Sequence, residues 1–242
     1  FEANQKFLEG MAFYQFFMLH QKEKVASSFV TLRYYKGQNV IEEGDPGSSF
    51  YMIKEGTAAL LQGNLEQRKI YKGESFGQNS LYYNTMRKMT VRAEEDVVCQ
   101  VLGRETLAKI IGADFRDVMF RNYVKSIVQK NRVLFSLLKR DEDSFFEGMR
   151  VQHKKTNEVV FKKGSTVQKL LVIMEGKLKK FRSANYLAEA GQTWGEQFLG
   201  EGGPRLEDDI IVETESVVIE LNLANLRQIQ ALNQSSSSIN LS

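Results

Sequence analysis

Phe76-Gly77-Gln78-Asn79-Ser80-Leu81 is followed by a short loop and then by Arg87-Lys88-Met89-Thr90. These residue types at this spacing suit the capture of a small anion. Gly77 has no Cβ, so the backbone there can come close to a ligand. A short helix opening after it would offer free N–H groups to a negative charge. Arg87, returning after one helical turn and a loop, can place two parallel N–H bonds on a phosphate. Ser80 is small and polar and leaves room. A lone arginine is usually a solvated one; its spacing from Phe76 and Gly77 is what makes Arg87 a candidate phosphate ligand.

The same spacing occurs twice. Val40-Ile41-Glu42-Glu43-Gly44 precedes Glu55-Gly56, and Val159-Val160-Phe161-Lys162-Lys163-Gly164 precedes Glu175-Gly176 at an equal distance. Gly73-x-x-Phe76-Gly77 matches Gly191-x-x-Trp194-Gly195, and Phe76 to Arg87 matches Trp194 to Arg205. Matched spacings in one order imply duplicated domains. The expected division is 1–130 for the first domain and 131–233 for the second, with 234–242, a serine-rich run, as a disordered tail or linker.

Other chemistries lack their residues. One cysteine, Cys99, and two distant histidines, His20 and His153, leave no Cys/His metal site and no internal disulfide. That cysteine usage fits a reducing, cytoplasmic compartment. No Gly-x-Ser-x-Gly elbow or glycine-rich kinase loop occurs, so no catalytic residue is expected within these residues. With 33 basic and 30 acidic side chains, the net charge of +3 argues for neither a nucleic-acid nor a membrane surface. The apolar run Met11 to Leu19 is too short to span a bilayer. A first residue of Phe1 reads as a fragment of a longer protein.

The elements that must hold these residues read as short strands with flanking helices. Phe50-Tyr51-Met52-Ile53 and Leu170-Leu171-Val172-Ile173 are β-rich runs, each ending in Glu-Gly. Thr90-Val91 and Val97 to Leu102 add strands, and Gly44-Asp45-Pro46-Gly47 is a tight turn. Many short strands at this spacing predict a small barrel or jelly roll. Leu107, Ile110, Ile111, Phe115, Val118 and Met119 recur at helical spacing, with Asp114 a candidate cap at an internal break. The helical pattern continues to Leu134, so helix joins the two domains. Lys177, Lys179 and Lys180 read as a solvated strand edge.

The Phe76–Thr90 segment resembles the phosphate-binding cassette of cyclic-nucleotide-binding domains, whose pattern is Phe-Gly-Glu-Leu-Ala-Leu, five variable residues, then Arg-Ala-Ala-Thr or Arg-Thr-Ala-Thr. Phe76, Gly77, Leu81, Arg87 and Thr90 match in register. Trp194-Gly195-Glu196-Gln197-Phe198-Leu199, followed by Pro204-Arg205-Leu206, is a second and degenerate copy. The resemblance implies a mainly β fold of two tandem jelly-roll barrels with flanking helices. It also implies the regulatory region of a cyclic-nucleotide-dependent protein kinase, most like the cGMP-dependent kinases of protists. The ligand would be cGMP or cAMP, with no other cofactor. The partner would be a serine/threonine kinase catalytic domain in the same or another chain.

By that resemblance Gly77, Gln78, Asn79, Ser80, Arg87, Lys88, Met89 and Thr90 line the first site. Gly195, Glu196, Gln197, Phe198, Arg205 and Leu206 line the second. Two departures stand out. Gln78 occupies the place of the carboxylate that holds the ribose 2′-hydroxyl. Lys88 stands where cGMP-selective sites carry Thr or Ser. In the second copy Glu207, Asp208 and Asp209 follow Arg205. If that stretch is a strand, alternation turns one of Glu207 and Asp208 inward against an anion. The alternatives are a cAMP-dependent kinase regulatory subunit and a ligand-free structural pair. A transcription regulator of the bacterial catabolite-activator type would need a helix-turn-helix after the barrel, where a second copy stands instead.

Overall fold

The computed structural model describes residues 2–11, 14–82, 86–200 and 205–239. The chain divides into two compact units, Phe1–Asn122 and Tyr123–Ser242. In the first, among the described residues, α1 (Glu2–Glu9) and α2 (Leu19–Ser27) precede eight strands: β1 (Val30–Tyr34), β2 (Asn39–Ile41), β3 (Ser49–Glu55), β4 (Ala58–Gln62), β5 (Leu65–Ile70), β6 (Ser75–Phe76), and, after α3 (Asn79–Tyr82), β7 (Thr90–Ala93) and β8 (Val97–Gly103). Helices α4 (Arg104–Ile111) and α5 (Phe115–Val128) follow. The break expected at Asp114 falls between them, after Gly112 at φ +119°.

In the second unit α6 (Arg132–Arg140) and α7 (Glu142–Phe146) lead into β9 (Arg150–Lys154), β10 (Val159–Phe161), β11 (Lys169–Glu175), β12 (Lys177–Lys180), β13 (Tyr186–Glu189) and β14 (Thr193–Trp194). A 3₁₀ turn (Glu196–Phe198) precedes β15 (Ile210–Val212), β16 (Ser216–Asn222) and α8 (Leu223–Ile239). The division between units falls inside α5, in the helical stretch expected to join the domains. The Asn131 side chain caps α6 by accepting from the N–H groups of Val133 and Leu134, both at 3.1 Å. The serine run is helical as far as Ile239, and residues 240–242 lie outside the described residues.

Strand order is the same in both units. The first has sheets β1-β8-β3-β6 and β2-β7-β4-β5; the second has β9-β16-β11-β14 and β10-β15-β12-β13. Every pair is antiparallel, and in each unit the first strand lies beside the last, as in a jelly roll. The protein is mainly β with flanking helices. In the first unit both sheets feed one apolar core of Val40, Ile53, Ala58, Ile70, Phe76, Val91, Ala93, Val97, Cys99 and Val101. The strands alternate inward and outward, so the two sheets can close over that core.

The Glu-Gly turns are strict. Gly56 has φ +86°, and a Cβ there would collide with the Asp96 carbonyl; Gly176 has φ +84° and would collide with Ser216. Only glycine fits both the conformation and the space. The lysine strand departs from expectation. Strand β12 is an inner strand, not an edge. Its lysines are offset by acids: Lys179 lies 2.9 Å from Glu213 and Lys177 lies 3.8 Å from Glu189. No described helix is long and apolar enough to cross a membrane. Among the described residues no cluster of His, Cys, Asp and Glu could hold a metal ion.

Candidate functional site: the two cassettes

Arg87 is fixed from its backbone outward. Its N–H donates to the Asp45 carbonyl at 2.7 Å, and its own carbonyl accepts from Gly44 at 2.9 Å. Pro46 and Met86 form a β-bridge beside it. The Gly44-Asp45-Pro46-Gly47 turn therefore sets where the side chain starts. That side chain is only 8% exposed, although it carries a charge. Its Nη2 donates to the Ser49 carbonyl at 2.6 Å and its Nη1 to the Gly77 carbonyl at 3.2 Å. The guanidinium carbon lies 5.8 Å from the centre of the Tyr51 ring, within cation–π range. Burial, the largest influence, lowers the Arg87 pKa; Tyr51 raises it, Arg104 lowers it and Asp45 raises it. The group stays a cation.

Gly77 is shaped by this arginine. It has φ +78°, and a Cβ would lie 2.6 Å from Arg87 Nη1. The guanidinium occupies the volume that any side chain at 77 would need. Next to it, Gln78 Oε1 is buried with no hydrogen-bond partner among the described residues. Thr90 is buried, and its Oγ1 accepts from the Glu43 N–H at 2.9 Å. So Thr90 closes the base of the turn. Asn79 and Lys88 are exposed and Met89 is half-buried. Ser80 belongs to α3, and its side chain lies outside the described residues, as do residues 83–85 of the cassette loop.

Two arginines not singled out by the sequence join this site. Arg104, the first residue of α4, donates from Nη2 to the Gly47 carbonyl at 2.7 Å. Arg116, in the first turn of α5, donates from Nε to the Tyr82 carbonyl at the end of α3, at 3.1 Å. Neither lies in a motif. Only the return of α4 and α5 to the cassette brings them in.

The second cassette keeps the turn and loses the arginine. Gly195, at φ +113°, opens the 3₁₀ turn, and a Cβ there would lie 3.1 Å from the Lys169 carbonyl. Glu196 accepts from Thr193 Oγ1. Gln197 is exposed and Phe198 buried, and Arg227 of α8 donates to the Phe198 carbonyl at 2.6 Å. Trp194 is core, with its ring centre 5.2 Å from Phe161 and 5.7 Å from Phe198.

The register after the loop differs from the sequence spacing. Gly164 N–H donates to the carbonyl of Leu206, as Gly44 does to Arg87. Lys163 N–H donates to Asp209 Oδ1 at 2.7 Å, as Glu43 does to Thr90. Leu206, not Arg205, holds the place of Arg87; it is buried, while Arg205 is exposed. The second loop is one residue longer between its glycine and that position. Equal Phe-to-Arg spacing therefore misaligns the pair; residues 201–204 of that loop are outside the described residues. The acids also differ from expectation. Residues 207–209 precede β15 and do not alternate as a strand. Glu207 is exposed, 3.9 Å from Lys180, and Asp209 is spent on the Lys163 N–H.

Residues 31–114 match the family model of the cyclic nucleotide-binding domain. The first unit is a cyclic nucleotide-binding domain. The chain is 28% identical over 214 residues to a cGMP-dependent protein kinase of Toxoplasma gondii, covering 82% of this chain and 21% of that protein. It is 33% identical over 110 residues to a cAMP-dependent protein kinase regulatory subunit of Emericella nidulans, covering 45% of this chain and 27% of that protein. The chain thus spans under a third of either relative. Among solved structures, the regulatory domain of Toxoplasma gondii PKA with cAMP matches at 18% identity and TM-score 0.44, over 98% of this chain and 96% of that one.

Proposed function

We propose that this chain is the regulatory region of a cyclic-nucleotide-dependent protein kinase and that its first cyclic nucleotide-binding domain binds cGMP or cAMP. The observation that carries this is the buried Arg87 guanidinium, held against Gly77 by backbone carbonyls. A cation placed at the bottom of a glycine-opened loop is built to receive an anion. The orphaned Gln78 Oε1 supports the same reading. It can accept the ribose 2′-hydroxyl, without the charge assistance of a carboxylate.

Similarity to cGMP-dependent kinases favours cGMP; Lys88 offers no readable guanine donor. Binding would shift a pre-existing equilibrium by its differential affinity for two states. Arg116, joining α5 to the carbonyl of Tyr82, gives the cassette a direct hold on the helix that leaves the first unit. Movement of α4 and α5 would relieve inhibition of a kinase catalytic domain, in the same or another chain, in the cytoplasm. The second unit, with Leu206 in the arginine place, would bind cyclic nucleotide weakly or not at all.

A ligand-free structural pair is the second reading, favoured by the Gln78 amide and by Leu206. Calorimetry of the chain with cGMP and with cAMP decides. Binding of either at one site per chain supports the proposal. Absence of heat and of competition for both ligands leaves the structural pair.

A further inference from the structure

The second unit contains a groove of about 260 Å³, lined by Gly148, Arg150, Gln168, Lys169, Glu220, Leu221 and Asn222. Among these, Glu220 lies on β16. Arg150 on β9 is the Cα partner of Glu220, and Lys169 on β11 pairs with Asn222. Lys169 Nζ lies 2.6 Å from Glu220 Oε2. Glu220 is 8% exposed. Arg150 and Gln168, both exposed, have no side-chain partner among the described residues.

The duplicated fold supplies the comparison. The Arg150–Glu220 pair of β9 and β16 corresponds to Val30–Val101 of β1 and β8, and Lys169–Asn222 corresponds to Ser49–Gly103. Val101 belongs to the apolar core of the first unit. At that ladder position the second unit buries a carboxylate. Burying a carboxylate carries a desolvation cost that a valine does not, so packing alone does not account for Glu220. The groove gathers two cations, one carboxylate and two side-chain amides in its lining. The Asn222 side-chain carbonyl is already used by the Ala224 N–H at 2.8 Å, which leaves its NH₂ as a donor.

We infer that this groove binds a small molecule carrying one anionic group, a phosphate ester or a carboxylate, together with a hydroxyl. The planar guanidinium of Arg150 matches either anion with paired N–H donors. Lys169 adds positive charge beside Glu220. Glu220 accepts the hydroxyl, and the Asn222 and Gln168 amides donate to the anion's remaining oxygens. The site does not depend on the cassettes or on the cyclic-nucleotide reading.

The test is ¹H–¹⁵N spectroscopy of the whole chain titrated with inorganic phosphate, ribose 5-phosphate and gluconate. Amide shifts are expected at 148–150, 168–169 and 220–222. They should persist in Arg87→Ala, which separates this groove from the first cassette. Arg150→Gln, at an exposed position, should fold normally and weaken binding roughly tenfold or more, as loss of a charged hydrogen bond does. Glu220→Val copies the first unit; it should fold and erase any preference for ribose 5-phosphate over inorganic phosphate. Shifts with gluconate alone would assign a carboxylate ligand, and shifts with both phosphates a phosphate ester. Absence of shifts at these residues with all three probes, or undiminished binding by Arg150→Gln, would overturn the inference.

Discussion

The carbonyl of Leu206 accepts the Gly164 N–H at 2.8 Å, the bond that Arg87 accepts from Gly44 at 2.9 Å. Those two bonds set the residue that occupies the equivalent position of each cassette. One carries a buried cation there and the other a buried isobutyl group. The asymmetry leads to a first prediction. The whole chain should bind one cyclic nucleotide, and Arg205→Ala should leave both stoichiometry and affinity unchanged. Calorimetry showing two equivalent sites would mean that the second cassette works through groups other than Leu206 and Arg205.

Arg87→Ala should cost cyclic-nucleotide binding roughly 2–5 kcal/mol, as truncating one partner of a buried charged contact does. Arg87→Lys should recover only part of the loss, since a point charge cannot reach Ser49, Gly77 and a phosphate in one plane. An affinity untouched by Arg87→Ala would place the phosphate elsewhere.

Gly77→Ala strains the loop twice. The residue sits at φ +78°, and the new methyl would press on Arg87 Nη1. The backbone conformation alone costs an alanine about 1–2 kcal/mol. Denaturant melts should show that loss, and binding should weaken with it because the guanidinium must move. An unchanged midpoint would indicate that the loop relaxes freely.

Gln78→Glu restores a charged acceptor at the orphaned Oε1. A charge-assisted bond to the ribose hydroxyl should tighten binding several-fold, worth about 1 kcal/mol. A weaker or unchanged affinity would show that Gln78 does not face the ribose.

Cys99 is fully buried in the first core, and burial raises its pKa to about 12 from an ordinary value of 9.0. The folded chain keeps the thiol proton that the unfolded chain gives up in alkali. Below the ordinary value this has no effect on stability; as pH rises from there toward the folded value, stability falls. Thermal melts of Cys99→Ala should show a shallower decline over that range. Labelling by a thiol reagent at neutral pH should proceed only as fast as the protein opens.

The duplicated spacing, the short strands and the Glu-Gly turns were all legible in sequence, because periodicity and glycine placement are local properties. Phe76, Gly77 and Arg87 were legible too, since the cassette is contiguous and its geometry follows from one tight turn and one short helix. Arg104 and Arg116 were not. They reach Gly47 and Tyr82 only after the chain has closed eight strands and brought α4 and α5 back. The place of Arg205 was misread for a related reason. Spacing along the chain counts residues, whereas the Gly164–Leu206 and Lys163–Asp209 hydrogen bonds fix the place in the fold, and one extra residue in the loop puts Leu206 inward and Arg205 out. Glu220 shows the same limit. In sequence it is an acid in an apolar strand; only pairing β16 with β9 and β11 sets it opposite Arg150 in register and within reach of Lys169, whose ammonium pairs with the buried carboxylate.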